Sequence, residues 1–463
     1  MPQAPQPSEL GARLEASQLE QFAAADQWFA GREPAALRHF LRSAYPDDPD
    51  VGSVSRLVNL ALNGRVPAPE LSEVGTLFTH AIENVRARWF GDPTTPTERL
   101  AGHRIAGLEF DFLGERRDVA DWSIAQTLLY LLMRRIKPSR RAAVVGTMRD
   151  DGLYALEWVA HYQTLGFELL VIYSNDNLDG SEHLLRRLAE QGQIIFVESR
   201  TAGMVRPEVK AFDHALQFVP EMREHEWGLF VDSDELLILA PRFQNRIGAL
   251  LEEIDHQEVP PAAILYQWLW YNSGMRFDRR PGLLLDRFRY ASDHWLAKPM
   301  VRLRDVLTMR LQHVPELFPG ASMVDSGYFS VDVEEAWTPR APNYTGGRLN
   351  HYWPKSFQEF SLKKARGDAL PITDDEYRRS FELFFQWNAE ETPETYHPPD
   401  ETFLRAVGER VNALRALPGV RAAEAEVERR YSTLLNRYDA EGGLRRIYER
   451  LHETTESGLQ APP

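Results

Sequence analysis

Residues Trp227–Leu239 read WGLFVDSDELLIL, an apolar run interrupted by Asp232, Asp234 and Glu235. The residues on either side have the continuous hydrophobic character of a buried strand. A carboxylate buried in such a strand is costly unless it is paired, hydrogen-bonded or bound to a metal. Something close to Asp232–Glu235 must therefore stabilise those acids.

Its neighbours decide the fold class. RAAVVGTM (Arg141–Met148) predicts a short buried strand ending at MRDDG. A helix follows, with Asp150 or Asp151 as its cap and Leu153, Leu156, Val159 and Ala160 on one face. GFELLVIYSND predicts a second strand, HLLRRLAEQG a helix closed by Gly192, and QIIFVES a third strand. RPEVKAFDHALQFV predicts a third helix, and GLFVDSDELLIL then comes as the fourth strand. Strands alternating with helices at this spacing predict an α/β fold with a doubly wound, mostly parallel sheet. Ligands bind beyond the C-terminal strand ends of such sheets. MRDD, SNDNLD and DSDE all fall there.

The flanks read differently. Residues 1–138 predict an N-terminal helical region, from the three- and four-residue apolar spacing of ELGARLEASQLEQFAAADQWFA and LSEVGTLFTHAIENVRARWF. Residues 139–367 form the α/β domain, and 368–463 predict a C-terminal helical region through ETFLRAVGERVNALRAL and EAEVERRYSTLLNRYDAEGGLRRIYERLHE.

A length of 463 residues is ample for a large core, and 43% hydrophobic with 26% charged residues is ordinary for a globular protein. A net charge of -15 argues against a nucleic-acid partner. With no cysteine there are no disulfides, thiolate metal sites or cysteine nucleophiles. MPQAPQPSELGARLEASQ has no apolar signal core, and no apolar run approaches the roughly 20 residues of a membrane span. The expected location is the cytoplasm. WSIAQTLLYLLMRRIKPSRR, residues 122–141, joins an apolar run to a basic cluster. It is a candidate for peripheral contact with an anionic inner membrane face, against the competing expectation of a buried helix and a basic linker.

The sequence contains no G-x-x-x-x-G-K-[ST] loop, no G-x-G-x-x-G after the first strand and no G-x-S-x-G elbow. These absences count against P-loop NTPases, standard dinucleotide-binding oxidoreductases and α/β-hydrolases. What remains is Asp232-Ser233-Asp234, two carboxylates at a strand end, a hard oxygen site suited to Mg²⁺ or Mn²⁺ on a diphosphate.

Three blocks carry a resemblance. MRDDGLYALEWVAHYQTLGFELLVIYSNDNLDGS, WGLFVDSDELL and LNHYWPKSFQEFSLKKARG occur in order, the last similar to an H-Y-x-x-K-S-x-x-E-F-x-x-K-x-x-R-G pattern. Over about residues 141–367 the chain resembles the glycosyltransferase family 2-like proteins of GT-A fold. The resemblance implies a transferase acting on a nucleotide-sugar, a UDP-sugar by preference, with Mn²⁺ or Mg²⁺ on the D-x-D acids Asp232 and Asp234. It implies a donor-binding loop at Thr147, Met148, Arg149 and Asp150, and a second at Asn175 and Asp176. Here Ser174 stands where relatives often carry an Asp. A glycan or lipid-linked acceptor follows by analogy alone.

Other residues join by chemistry. His351 is a candidate for a further metal ligand or for a contact to the diphosphate. Lys355, Lys363 and Arg366, at i, i+8 and i+11, share one face of a helix and suit a diphosphate leaving group. An inverting transferase needs a carboxylate base. Asp286 aligns loosely with an acid of the family, and Asp278 and Asp293 are further candidates. Trp268, Trp270 and Tyr271 are either a sugar-stacking surface or core, and His313 reads as structural. Two rivals stand beside the transferase: a nucleotidyltransferase, for which MRDDG is a poor match to the expected Gly-rich basic loop, and a scaffold built on a degenerate transferase domain.

Overall fold

A computed structural model describes residues 102–106, 138–199, 207–317, 321–365, 380–388, 395–397, 400–439 and 442–459. Its strands are β1 (His103–Ala106), β2 (Arg140–Met148), β3 (Leu169–Ser174), β4 (Ile195–Ser199), β5 (His225–Asp232), β6 (Glu235–Leu239), β7 (Ala263–Tyr271) and β8 (Tyr290–Arg302). A hairpin, β9 (Val306–Leu311) and β10 (Val314–Leu317), follows, then β11 (Met323–Asp325), β12 (Gly347–His351) and β13 (Thr395–Tyr396). The helices are α1 (Gly152–Leu165), α2 (Ser181–Glu190), α3 (Pro207–Phe218), α4 (Ile247–Asp255), α5 (Leu284–Arg287) and α6 (Val333–Ala336). They continue as α7 (Phe357–Ala365), α8 (Phe381–Asn388), α9 (Glu401–Arg415), α10 (Val420–Tyr438) and α11 (Gly443–Leu459).

The architecture is α/β, on a mixed and largely parallel sheet ordered β1-β4-β3-β2-β5-β8-β7-β12-β6. β1, β4, β3, β2 and β5 are mutually parallel; β8 enters antiparallel between β5 and β7. Alternate residues of β2 feed two cores. Ala142 and Val144 pack on the side of α1 and α2, Ala143 and Val145 on the side of α3.

The run Trp227–Leu239 is not one strand. β5 ends at Asp232, Ser233 and Asp234 turn, and β6 begins at Glu235 on the far edge of the sheet, antiparallel to β12. Three Cα steps reach at most about 11 Å. A flat sheet would put β6 four strands from β5, roughly 19 Å away. The sheet must therefore curl until its edge returns to its middle. A bulge between Gln267 and Leu269 in the β7–β8 ladder supplies a local bend. The curl gathers the ends of β2, β5 and β12, and Lys298 from within β8, around one two-residue turn.

Other expectations also change. His103–Ala106 lies in the region expected to be helical but is a strand, extending the sheet beside β4. Most of residues 122–141 lies outside the described residues. Of its basic cluster, Arg140 and Arg141 open β2 and face acids, Arg141 pairing with Glu226 at 2.9 Å and Asp255 at 2.8 Å. Among the described residues no helix is long and apolar enough to cross a membrane.

Helix α1 is buried nearly all round, its Glu157 and His161 included. The C-terminal region provides its outer cover: Phe403, Val407, Val411 and Leu414 of α9 and Val427 of α10 join the same core as Ala155 and Trp158. Neither acid expected to cap α1 does so. The amide of Gly152 donates instead to Asp179 Oδ2 at 3.0 Å, and the Asp151 side chain accepts the Ser233 hydroxyl at 2.9 Å. Asp150, in the left-handed region at φ 52°, accepts the amides of Leu178 and Asp179. These bonds tie the loop after β2 to the loop after β3.

Candidate active site

Thr147 at the end of β2 pairs in register with Asp232 at the end of β5. Its hydroxyl donates to Asp232 Oδ1 at 2.8 Å, and Lys298 Nζ of β8 lies 3.0 Å from Oδ2. Lys298 is buried, and its ammonium is shared with Glu208 of α3. Burial pushes the Asp232 carboxyl up, but the Lys298 charge and the Thr147 bond outweigh it and hold it below the usual carboxylate range. The mirror argument keeps Lys298 charged: burial opposes the charge, while Asp232 and Glu208 sustain it.

Asp234 has a different set of partners. Lys355 Nζ lies 3.2 Å and Lys363 Nζ 2.8 Å from its Oδ2, and its carbonyl accepts the Tyr352 amide at 2.9 Å. Burial again raises the carboxyl, and the two lysines overcome it and hold it well below the usual range. For Glu235 burial outweighs the help it receives from the Lys298 charge and the Asp232 amide. It is fully buried, its Oε2 accepts the Asp232 amide at 2.8 Å, and its Oε1 has no hydrogen-bond partner. Burial pushes its carboxyl well above the usual range. So lysines face Asp232 and Asp234, the two acids for which the sequence suggests a compensating metal ion.

The H-Y-x-x-K-S-x-x-E-F-x-x-K block builds the cationic side. His351 ends β12, directly across from Glu235 in the ladder. Ser356 and Glu359 exchange bonds as in a capping box, the Ser356 amide donating to Glu359 Oε2 at 3.0 Å and the Glu359 amide to Ser356 Oγ at 3.3 Å. Glu359 also accepts the Tyr154 hydroxyl and Arg287, each at 2.6 Å, which fixes the start of α7 onto α1 and α5. Lys363 then projects from α7 toward Asp234. Lys355 does not share that helix face: it precedes α7, in the left-handed region at φ 50°, and reaches the same oxygen from the turn. Arg366 lies outside the described residues.

His351 Nε2 and Asp234 Oδ1 are 3.6 Å apart, too far for a hydrogen bond. Two donors at that separation can share one ion at roughly 2.1 Å from each. Burial holds the His351 ring below the usual histidine range, in the neutral form that binds metals. Its Nδ1 has no hydrogen-bond partner, so the ring lacks the outer anchor usual for a ligating histidine. Among the described residues no group of three or more His, Asp or Glu side chains is placed to hold a metal ion. The donor set fits a cation whose shell is completed by phosphate oxygens, as Mg²⁺ sites commonly are.

The remaining predicted residues are dispersed. Asn175 donates to Asp176 at 3.0 Å on the loop after β3, and Arg149 Nε is buried without a hydrogen-bond partner. Asp286, on α5, is half exposed and paired with Arg289; Asp278 is exposed, near Arg445 and Gln358. Asp293 is exposed, beside the Tyr344 hydroxyl. Trp268 and Tyr271 are core, whereas Trp270 is half-buried against His294, His351 and Trp353. Burial pushes His294 down to about 4 and His313 to about 3, so both rings are neutral.

Lys298 was not singled out from the sequence. Its signal was there: one lysine inside the apolar run WLAKPMV, where a buried cation needs buried acids. The sequence matches no protein-family profile and no curated protein.

Proposed function

We propose that the chain is a GT-A-type glycosyltransferase, moving a sugar from a nucleoside-diphosphate donor, a UDP-sugar by preference, to an acceptor hydroxyl. The observation that carries this reading is the convergence of Lys355 and Lys363 on one oxygen of Asp234, beside Asp232 and His351. This cluster stands at the C-terminal ends of β2 and β5, where doubly wound sheets bind nucleotides.

Sugar transfer releases a diphosphate, and its barrier falls when preorganised cations meet the charge developing on the leaving oxygen. Lys355 and Lys363 are such cations, held in place by the α7 cap and by Asp234. Donor binding gives them phosphate oxygens as partners and frees Asp234 Oδ2. Asp234 and His351, which face each other, are the residues that would hold Mn²⁺ or Mg²⁺, with Asp232 beside them; the ion, when bound, would supply Lewis-acid stabilisation of the diphosphate. Asp232 is kept ionised and oriented by Thr147 and Lys298. For an inverting transfer, Asp286 is the proposed base, taking the proton of the acceptor hydroxyl. A glycan or lipid-linked glycan is the proposed acceptor class.

The test is donor turnover. The full chain with Mn²⁺ and each of a panel of nucleotide-sugars is assayed for nucleoside diphosphate release, with water or added glycans as acceptors. One donor should turn over, and Asp234→Asn should abolish release. Failure of every donor to bind or turn over would remove the reading.

A further inference from the structure

A cleft of about 820 Å³, counting its open mouth, lies between the first turn of α1, the loop after β3, α7 and α10. Much of its wall is apolar or aromatic: Tyr154, Leu178, Trp353, Leu434 and Tyr438. Lys355 and Lys363 also line it, and both reach Asp234 Oδ2. The cleft and the carboxylate cluster therefore share a boundary of two ammonium groups.

Helix α10 belongs to the C-terminal region, outside the stretch that resembles a transferase. It contributes Tyr431, Leu434, Arg437 and Tyr438 to the cleft. Leu178 and Tyr438 are exposed although both are large and apolar. Tyr431 is 9% exposed, and its hydroxyl is buried with no hydrogen-bond partner. Buried hydroxyls are normally bonded, so this one is a donor left over beside the cleft.

Resting on the transferase reading above, we infer that α10 forms the outer wall of the nucleoside half of the donor site. The base lies against Leu434 and Tyr438, the Tyr431 hydroxyl serves its polar edge, and the diphosphate runs to Lys355 and Lys363. Flat bases stack on aromatic and apolar side chains whatever their sequence identity. A mostly apolar wall with a few placed polar groups is the usual make-up of a small-molecule site. The strand ends are the right ones, since Asp150 follows β2 and Leu178 follows β3. An isoprenoid diphosphate would satisfy the lysines and the apolar wall, but would leave the Tyr431 hydroxyl without a partner. The C-terminal helices are thus part of donor recognition and not only a cover for α1.

Calorimetry on the full chain with Mn²⁺ decides it, using UDP, GDP, ADP, inorganic pyrophosphate and farnesyl diphosphate as probes. Leu434→Trp, which fills the cleft, should weaken the best nucleoside diphosphate roughly tenfold or more, the scale of a lost stacking contact, and leave pyrophosphate unchanged. Tyr431→Phe, isosteric and safe for folding, should weaken the nucleoside diphosphate about threefold to tenfold, the scale of one lost hydrogen bond, and also spare pyrophosphate. If Leu434→Trp melts early, Tyr431→Phe decides alone. Wild-type binding of a nucleoside diphosphate that Tyr431→Phe and a folded Leu434→Trp both retain overturns the inference and leaves the transferase reading standing. Wild-type binding of farnesyl diphosphate but of no nucleoside diphosphate overturns it in favour of an isoprenoid ligand. Binding of no nucleoside diphosphate and no farnesyl diphosphate removes both the inference and the reading it rests on.

Discussion

Lys363 Nζ lies 2.8 Å from Asp234 Oδ2, the same oxygen that Lys355 Nζ approaches to 3.2 Å. One carboxylate oxygen thus faces two ammonium groups, that of Lys355 buried and that of Lys363 partly so. This pair of cations on one oxygen is the feature of the site most directly suited to an anion.

Asp234→Asn removes the carboxylate that both lysines face. Removing one partner from a buried ion pair leaves an uncompensated charge and costs about 3 kcal/mol or more. Urea unfolding of the variant should show a loss on this scale, and pyrophosphate should restore more stability to the variant than it adds to the wild type. A variant as stable as the wild type would mean that the lysines do not depend on Asp234.

Gly146 is a second sensitive point. A Cβ there would sit 2.5 Å from the Trp158 ring, whose indole donates to the Asp232 carbonyl at 3.2 Å. Gly146→Ala should overpack the core at a cost of about 1–3 kcal/mol. Because Trp158 holds the end of β5, activity should fall further than stability alone explains. An unchanged melting temperature would show that the ring yields freely.

The α/β alternation was legible because each predicted strand is short, apolar and bounded by turn residues, and β2, β3 and β4 formed where their patterns put them. The split of WGLFVDSDELLIL was not. Nothing local distinguishes one long strand from two joined at Ser233–Asp234, since the break is set by the long-range pairing of Glu235 with His351. The partners of Asp234 were half legible. The motif supplied Lys355, Lys363 and His351, but their convergence depends on the Ser356–Glu359 cap and on the curl of the sheet. Lys298 was missed because a strand lysine is read as solvent-facing until its acidic partners are known to be buried beside it. The C-terminal helices looked chemically silent because α10 meets the cleft only in three dimensions.

Glu157 gives the fold a pH signature. Burial raises its carboxyl from 4.5 to about 7, against the amides of Leu284 and Leu285 that it accepts at 2.6 and 3.0 Å. The folded state then holds a proton that the unfolded chain has released between about pH 4.5 and 7. The stability from this proton is fully present below the lower value and is lost as pH rises through the upper one, by roughly 3 kcal/mol in all. Glu157→Gln cannot release a proton. The wild type should lose stability relative to this variant by that order between pH 5 and pH 8. A difference that stays flat across the range would mean that Glu157 titrates like an ordinary carboxyl. Because Glu157 anchors the first residues of α5, the same window should alter how firmly Asp286 is carried.

The last prediction concerns the ion. With only Asp234 Oδ1 and His351 Nε2 facing each other at 3.6 Å and no anchor on His351 Nδ1, the protein alone should hold Mn²⁺ weakly. Phosphate oxygens should complete the shell, so Mn²⁺ and a nucleoside diphosphate should each tighten the other's binding by the same factor. His351→Ala should remove that coupling, leaving nucleoside diphosphate binding in the absence of metal near the wild-type value, because Lys355 and Lys363 still carry it. Titration of the wild type and the variant with UDP, each with and without Mn²⁺, measures the coupling directly. If His351→Ala keeps the full enhancement by Mn²⁺, the histidine is no ligand. The ion, if any, would then be held by the aspartates and the diphosphate alone. If the variant instead loses metal-free binding, His351 acts on the diphosphate itself, as a neutral donor beside the two lysines.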